Sequence, residues 1–170
     1  LALELKAIVD GGNLINDEKT NEVLVEGLKK FDLQNDRLIL DGYPRTLPQA
    51  EFLAKYVEEH GIKLTDVIFL EIDSEIQIQR LTGRQTCPSC GKGFHKYFMK
   101  PLVEDICDAC GTTLTQRGDD KLENVMVRLD TYEKLTAPVA EFYREKGMIK
   151  ELNTDRDAEE IAAEIDGLIK

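Results

Sequence analysis

No apolar run in this chain approaches the roughly 20 residues that a membrane span requires. No basic segment leads into an apolar one in the manner of a secretion signal. A basic face is missing as well: the formal net charge is −11, with 33 acidic residues against 22 lysines and arginines. That balance argues against a broad nucleic-acid surface or a membrane-surface role, both of which need excess positive charge. Cysteine is absent from most of the chain, and all four cysteines fall between residues 87 and 110. Repeats and low-complexity linkers are absent too. What remains is a chain of 170 residues with 42% apolar content, enough for one domain with a sizeable core or one domain carrying an insert. A soluble, cytoplasmic protein is expected.

Helical periodicity is read over residues 2–9 and 17–30, with Asn16 or Asp17 as the cap of the second helix. Residues 37–40, with three apolar side chains at Leu38, Ile39 and Leu40, read as a buried strand, ended abruptly by Asp41, Gly42, Tyr43, Pro44 and Arg45. Pro48 suits the first turn of a helix running to His60. Residues 66–73 read as a second buried strand, and Ser74 starts a short helix through Leu81. Residues 84–120 change character, with Gly, Pro and Cys punctuating short polar pieces. Helical pattern returns from Leu122 to Lys146, where Pro138 is expected to kink or split it. Residues 148–152 read as a third strand and 155–169 as an amphipathic closing helix. Strands alternating with helices predict a parallel α/β sheet, with 84–120 inserted into it.

Two patterns carry chemistry. Asp41 and Arg45 sit at a strand's C-terminal edge, where open α/β sheets bind their ligands. An acid there suits a metal or its water shell, and an arginine forks a phosphate bidentately. The same residues also fit a plain loop with a surface ion pair. In the insert, Cys87 and Cys90 form one C-x-x-C, Cys107 and Cys110 another, and Gly91 and Gly111 follow them. Four thiolates in that spacing suit a closed, structural Zn(II) site. Iron fits the same ligands, and two disulfides or a redox pair are the other readings. Arg80 and Arg84 flank the first root of the insert, and Arg117, Asp119 and Asp120 flank the second. Ordinary surface ion pairs would look the same.

These motifs together resemble the adenylate kinases, specifically the long, zinc-containing bacterial type. The segments that carry the likeness are DGYPRTLPQA (41–50), RLTGR (80–84), CPSC (87–90), CDAC (107–110), QRGDD (116–120) and VRLDTY (127–132), in the family's order. The resemblance implies a parallel-sheet, P-loop nucleoside monophosphate kinase core with a zinc-binding lid, and phosphoryl transfer between MgATP and AMP to give two ADP. It implies residues 1–15 as the end of the AMP-binding insert, 16–83 and 121–170 as core, and 84–120 as the lid. It places Asn13, Leu14, Ile15, Gly42, Arg45 and Gln49 against AMP, with Gln49 on the adenine and Arg45, Arg117 and Arg128 on phosphate. Arg80, Arg84, Phe94 and His95 fall on the ATP side. Asp41 serves the water shell of Mg(II). Arg84, Arg117 and Arg128 neutralise the transferring phosphates, and Asp119 and Asp120 fix the lid roots. ATP and AMP are the implied partners of a monomer, with no nucleic acid and no membrane.

Departures from the family pattern are equally specific. No G-x-x-x-x-G-K phosphate loop occurs between Leu1 and Lys170. The chain therefore reads as the C-terminal majority of such an enzyme, without the first strand and P-loop, and as inactive in that form. Gln85 stands where a second lid arginine is common. A pyrimidine nucleoside monophosphate kinase and a zinc-ribbon interaction module are the competing readings. The long insert and Gln49 weigh against the first, and the acidic stretch before Cys107 against the second.

Overall fold

A computed structural model describes residues 15–169. In chain order its elements are α1 (Asp17–Leu28), α2 (Leu47–Glu59), β1 (Val67–Glu71), α3 (Ser74–Thr82), β2 (Arg84–Thr86), β3 (Gly93–His95), a 3-10 turn (Gly118–Asp120), α4 (Leu122–Thr131), a π turn (Tyr132–Thr136), α5 (Ala137–Glu145), β4 (Ile149–Asn153) and α6 (Ala158–Leu168). They fall into two compact units, residues 72–129 and residues 15–71 with 130–169. The helix expected at 2–9 lies outside the described residues, as do Asn13 and Leu14.

In the larger unit, helix starts follow side-chain caps. Asn16 accepts a hydrogen bond from the Lys19 amide at 2.9 Å to open α1, and Asp17 and Glu18 face the positive end of that helix. Thr46 caps α2, with Pro48 in the first turn. Asp157 caps α6, whose half-buried Ile161, Ile165 and Leu168 recur at helical spacing. β1 and β4 pair in parallel, Val67 beside Ile149 through Glu71 beside Asn153, as the alternating pattern predicts. Thr154 fastens the end of this ladder by donating both its amide and its hydroxyl to the Glu71 carbonyl. Lys150 donates to the last carbonyl turn of α6 at Leu168 and pairs with Asp66.

The core of this unit lies where α2 meets α5. Ala50, Val139 and Tyr143 are buried together, and Leu64, Val67, Phe142, Met148 and Ile149 pack against them. Pro138 does split the long helix. Its ring excludes the ordinary hydrogen bond and crowds the carbonyl four residues back, and the chain widens into the π turn just before it.

Two expectations need correction. Residues 37–40 form no strand, and Leu38 and Ile39 are exposed, Ile39 at 82%. β1 is not a buried strand either: Leu70 is 50% exposed. The cause is shared. A parallel strand is buried when it has neighbours on both edges and helices on both faces. Among the described residues β1 pairs with β4 alone, and nothing pairs with 37–40.

The smaller unit is built around α3, the insert and the start of α4. Its apolar core beneath the cysteines is small, consisting of Cys87, Phe94, Cys107 and Leu114. β2 and β3 form an antiparallel ladder, and Thr86 bridges Thr115 through two backbone hydrogen bonds of 2.8 and 3.0 Å.

Tyr143 gives a clean test of what holds the larger unit. Its side chain is 2% exposed, and its hydroxyl has no hydrogen-bond partner among the described residues. Packing is therefore its contribution. Tyr143→Ala is expected to cost about 3–5 kcal/mol in urea unfolding, and Tyr143→Phe to change stability by less than about 1 kcal/mol. A large loss in the Phe variant would show that the hydroxyl is bonded.

Candidate active site and metal centre

The acid–arginine turn folds as a set of short-range hydrogen bonds. Gly42 has φ of +71°, and a Cβ there would meet the Arg45 Nη2 at 2.7 Å, so glycine suits the position twice over. The Arg45 Nε donates to the Gly42 carbonyl at 2.7 Å. No carboxylate among the described residues lies within ion-pair distance of its guanidinium, which leaves the rest of that fork available to an anion. Asp41 is exposed beside it.

Behind the turn, Gln49 is 2% exposed and its amide is occupied. Its Oε1 accepts from the Arg45 amide at 2.8 Å and its Nε2 donates to Asp17 Oδ1 at 2.8 Å. The Thr46 hydroxyl donates to the same Asp17 oxygen at 2.9 Å. The sequence offers Asp17 only as an alternative to Asn16 for the helix cap, which Asn16 takes, and gives Thr46 no role. The readable signal was that capping acids and threonines offer a second bond once their helices meet. Tyr43 donates to Asn21 at 2.7 Å, and burial, then Tyr143 and Asp17, push its pKa up to about 12. Ile15, half-buried, lines an open hollow with Asp17, Thr46, Leu47, Lys134 and Pro138.

The smaller unit gathers the remaining arginines. The Thr86–Thr115 bridge brings the two roots of the insert side by side, so Arg84 and Arg117 stand level two residues out from it. Arg117 grips Asp119 bidentately at 3.0 and 2.8 Å. Asp120 is fully buried, and neither carboxylate oxygen has a hydrogen bond to any described residue. Arg84 Nε lies 3.5 Å from Oδ2 and Arg128 Nη1 3.8 Å from Oδ1. Arg128 also reaches Asp119 at 3.8 Å. Burial raises the Asp120 pKa above the usual carboxylate range, opposed by Arg84 and reinforced by Asp119. Sequence motif and structure thus bring Arg84, Arg117, Arg128, Asp119 and Asp120 into one cluster.

Other sequence candidates take internal positions. Phe94 is buried in the insert's core. The His95 Nδ1 accepts from the amides of Tyr97 and Phe98 at 3.1 and 3.2 Å, so Nε2 carries the hydrogen and donates to the Arg80 carbonyl at 3.0 Å. Its ring lies over Gly83, where a Cβ would come within 2.3 Å of the imidazole. Gln85 is buried and donates to Asp105. It holds the insert together internally, at the position where the resemblance leads one to expect an arginine.

The cysteines form two matching knuckles. In one, the Gly91 amide donates to the Cys87 carbonyl and Cys87 N to Lys92 O. In the other, Gly111 does the same to Cys107, and Cys107 N donates to Thr112 O. Gly91 and Gly111 have φ of +76° and +70°, which the tight turns require. All four sulfurs lie within 4.8 Å of one another, with Cys87–Cys110 at 3.4 Å and Cys90–Cys107 at 3.6 Å. A tetrahedral ion with 2.3 Å bonds needs sulfurs about 3.8 Å apart, so the set fits one metal ion. The thiols do not titrate alike. The Thr112 hydroxyl and amide pull Cys110 down to about 6, with the neighbouring thiols adding to the effect. Although the Lys92 amide lowers it, Cys90 is pushed up to about 11 by Cys87 and Cys107. Crowded thiols cannot all ionise without a cation to balance them.

Comparison with known proteins agrees with this arrangement. The sequence model of the family described as adenylate kinase matches residues 1–148. The adenylate kinase of Caldanaerobacter subterraneus subsp. tengcongensis is 42% identical over 160 residues, covering 94% of this chain and 72% of that protein. That of Carboxydothermus hydrogenoformans is 44% identical over 165 residues, covering 97% and 77%. That of Bacillus subtilis is 40% identical over 169 residues, covering 99% and 78%. With the acid–arginine turn, the paired knuckles and the root arginines all in the family's order, the chain belongs to the adenylate kinase family.

Proposed function

We propose that the protein transfers a phosphoryl group reversibly between ATP and AMP, giving two ADP, and that each unit supplies one part of the chemistry. The observation that carries this reading is the cluster at the insert's roots. In a chain of net charge −11, Arg84, Arg117 and Arg128 are gathered and held by Asp119 and the buried Asp120. Phosphoryl transfer needs in-line positioning and neutralisation of spread-out negative charge, and pre-placed guanidinium groups supply both. Arg45 offers its fork to the AMP phosphate, with the Gly42 backbone beside it and Asn13, Leu14 and Ile15 along the adenosine. Gln49 reads the adenine by exchanging one of its internal bonds. Arg80 covers the ATP base, and the backbone of Phe94 and His95 borders that side. Asp41 is exposed, as a carboxylate serving the water shell of Mg(II) must be, and Mg(II) with ATP adds charge neutralisation when bound. Cys87, Cys90, Cys107 and Cys110 would hold one structural Zn(II), which fixes an insert whose own core is too small to fold it.

The function is tested by coupled ADP formation from ATP with AMP, UMP or CMP, using protein that includes a phosphate-loop segment. AMP is expected to be strongly preferred, and preference for UMP or CMP would point to a pyrimidine kinase. Residues 1–170 alone are expected to be inactive, because they contain no loop of amides and lysine to cradle the β- and γ-phosphates. Robust turnover by this polypeptide would mean that another segment binds those phosphates.

Arg45→Lys is expected to raise the KM for AMP about tenfold while leaving that for ATP nearly unchanged. A point charge replaces a planar fork, losing a charge-assisted hydrogen bond worth about 1.5–3 kcal/mol. Equal weakening of both nucleotides would take Arg45 off the AMP side.

Elemental analysis is expected to find one zinc per chain. Serine at any one of the four cysteines should release it and loosen residues 84–120 before the larger unit melts. A metal-free protein with two disulfides by mass would overturn the assignment.

A further inference from the structure

The last turn of α3 is closed only in part by its cap residue Gly83, whose amide bonds the Gln79 and Leu81 carbonyls and leaves the others. The remaining carbonyls are satisfied by the insert: Arg80 O by the His95 ring, Gly83 O by the Lys96 amide at 2.8 Å, and Thr82 O by the Gln116 side chain at 2.8 Å. Gln116 does more than cap. The second hydrogen of its Nε2 goes to the Asp120 carbonyl at 2.9 Å. One amide group therefore ties the first root of the insert to the second.

The two carbonyls it joins belong to the residues that fix the arginines. Thr82 lies two residues before Arg84, and Asp120 is the buried carboxylate that Arg84 and Arg128 approach. Among the described residues Asp120 gains no side-chain hydrogen bond, so the backbone that carries it sets its position. A side chain with two donors on one nitrogen suits two converging carbonyls, whereas a carboxylate or an apolar group has none to offer. We infer that Gln116 is a positioning residue for phosphoryl transfer: it spans the two roots of the insert and sets Arg84 and Arg128 around Asp120. This rests on the adenylate kinase reading, since it assigns Gln116 no contact with a nucleotide.

The test uses zinc-loaded protein that includes the phosphate-loop segment. Gln116→Met keeps most of the volume and removes both donors. The expected result is a fall in kcat of about tenfold or more, as misplaced catalytic groups give, with unchanged KM for AMP and unchanged zinc content. In an Arg84→Ala background the same substitution should cost far less, because the two act through one contact. Gln116→Glu should match Gln116→Met at neutral pH and recover relative to wild type as acid protonates the carboxyl and restores a donor. Unchanged kcat, or full additivity with Arg84→Ala, overturns the inference. Backbone exchange gives a reading independent of turnover. The Asp120 and Lys121 amides, bonded to Arg117 O and Gly118 O within the 3-10 turn, should exchange about tenfold faster in Gln116→Met. Equal exchange also overturns it. A wild-type protein that forms no ADP would defeat the kinase reading instead, and the exchange measurement would still decide the clamp.

Discussion

A carboxylate with no exposed surface, approached by two guanidinium groups and bonded to neither, is costly to assemble. Burying an ion forfeits several kcal/mol of hydration, and pairing at 3.5–3.8 Å repays this incompletely. Asp120 nonetheless stands at the centre of the smaller unit, and the rest of that unit is arranged to keep it there. The 3-10 turn presents it, Arg117 immobilises its neighbour Asp119, and the Thr86–Thr115 bridge brings the two roots to the same level. The return is geometric. Three long, positively charged side chains that would otherwise sweep through solvent are held together in advance, so an anion bound among them would require less ordering.

The metal knuckles extend the same constraint outward. Beneath the cysteines lie only Phe94 and Leu114 as further buried apolar residues, too few to hold some thirty residues of polar loop. The four sulfurs could hold one ion, which would stand in for a hydrophobic core, and the β2–β3 ladder would carry that rigidity to Arg84. In the larger unit the equivalent support is polar and local. Asp17, Thr46 and Gln49 share hydrogen bonds behind the Asp41–Arg45 turn, fixing the backbone of Arg45 while its fork stays unpaired by any described carboxylate.

Much of this was legible in advance. Capped helices, the two parallel-paired strands, the split at Pro138 and the clustered cysteines follow from rules that act over a few residues: capping, turn chemistry, ring constraint and ligand spacing. The collinear motifs added the family and the cluster of root residues. Residues 37–40 were misread for a physical reason. An apolar run records a tendency toward burial, but a strand exists only when another strand pairs with it, and that depends on partners elsewhere. The exposure of Leu70 has the same origin.

The amino-acid order thus settled which described segments would be helical, where the chain would turn, which four cysteines would come together and which family the motifs belong to. All of these depend on near neighbours or on spacing. It left open how the polar side chains would divide their bonds. Gln49 turns inward to Asp17, Gln85 to Asp105, and Gln116 to the carbonyls of Thr82 and Asp120. Three glutamines of identical chemistry took different roles because each found different carbonyls and carboxylates within reach. Reach across 20 to 34 residues of chain exists only once the backbone has closed.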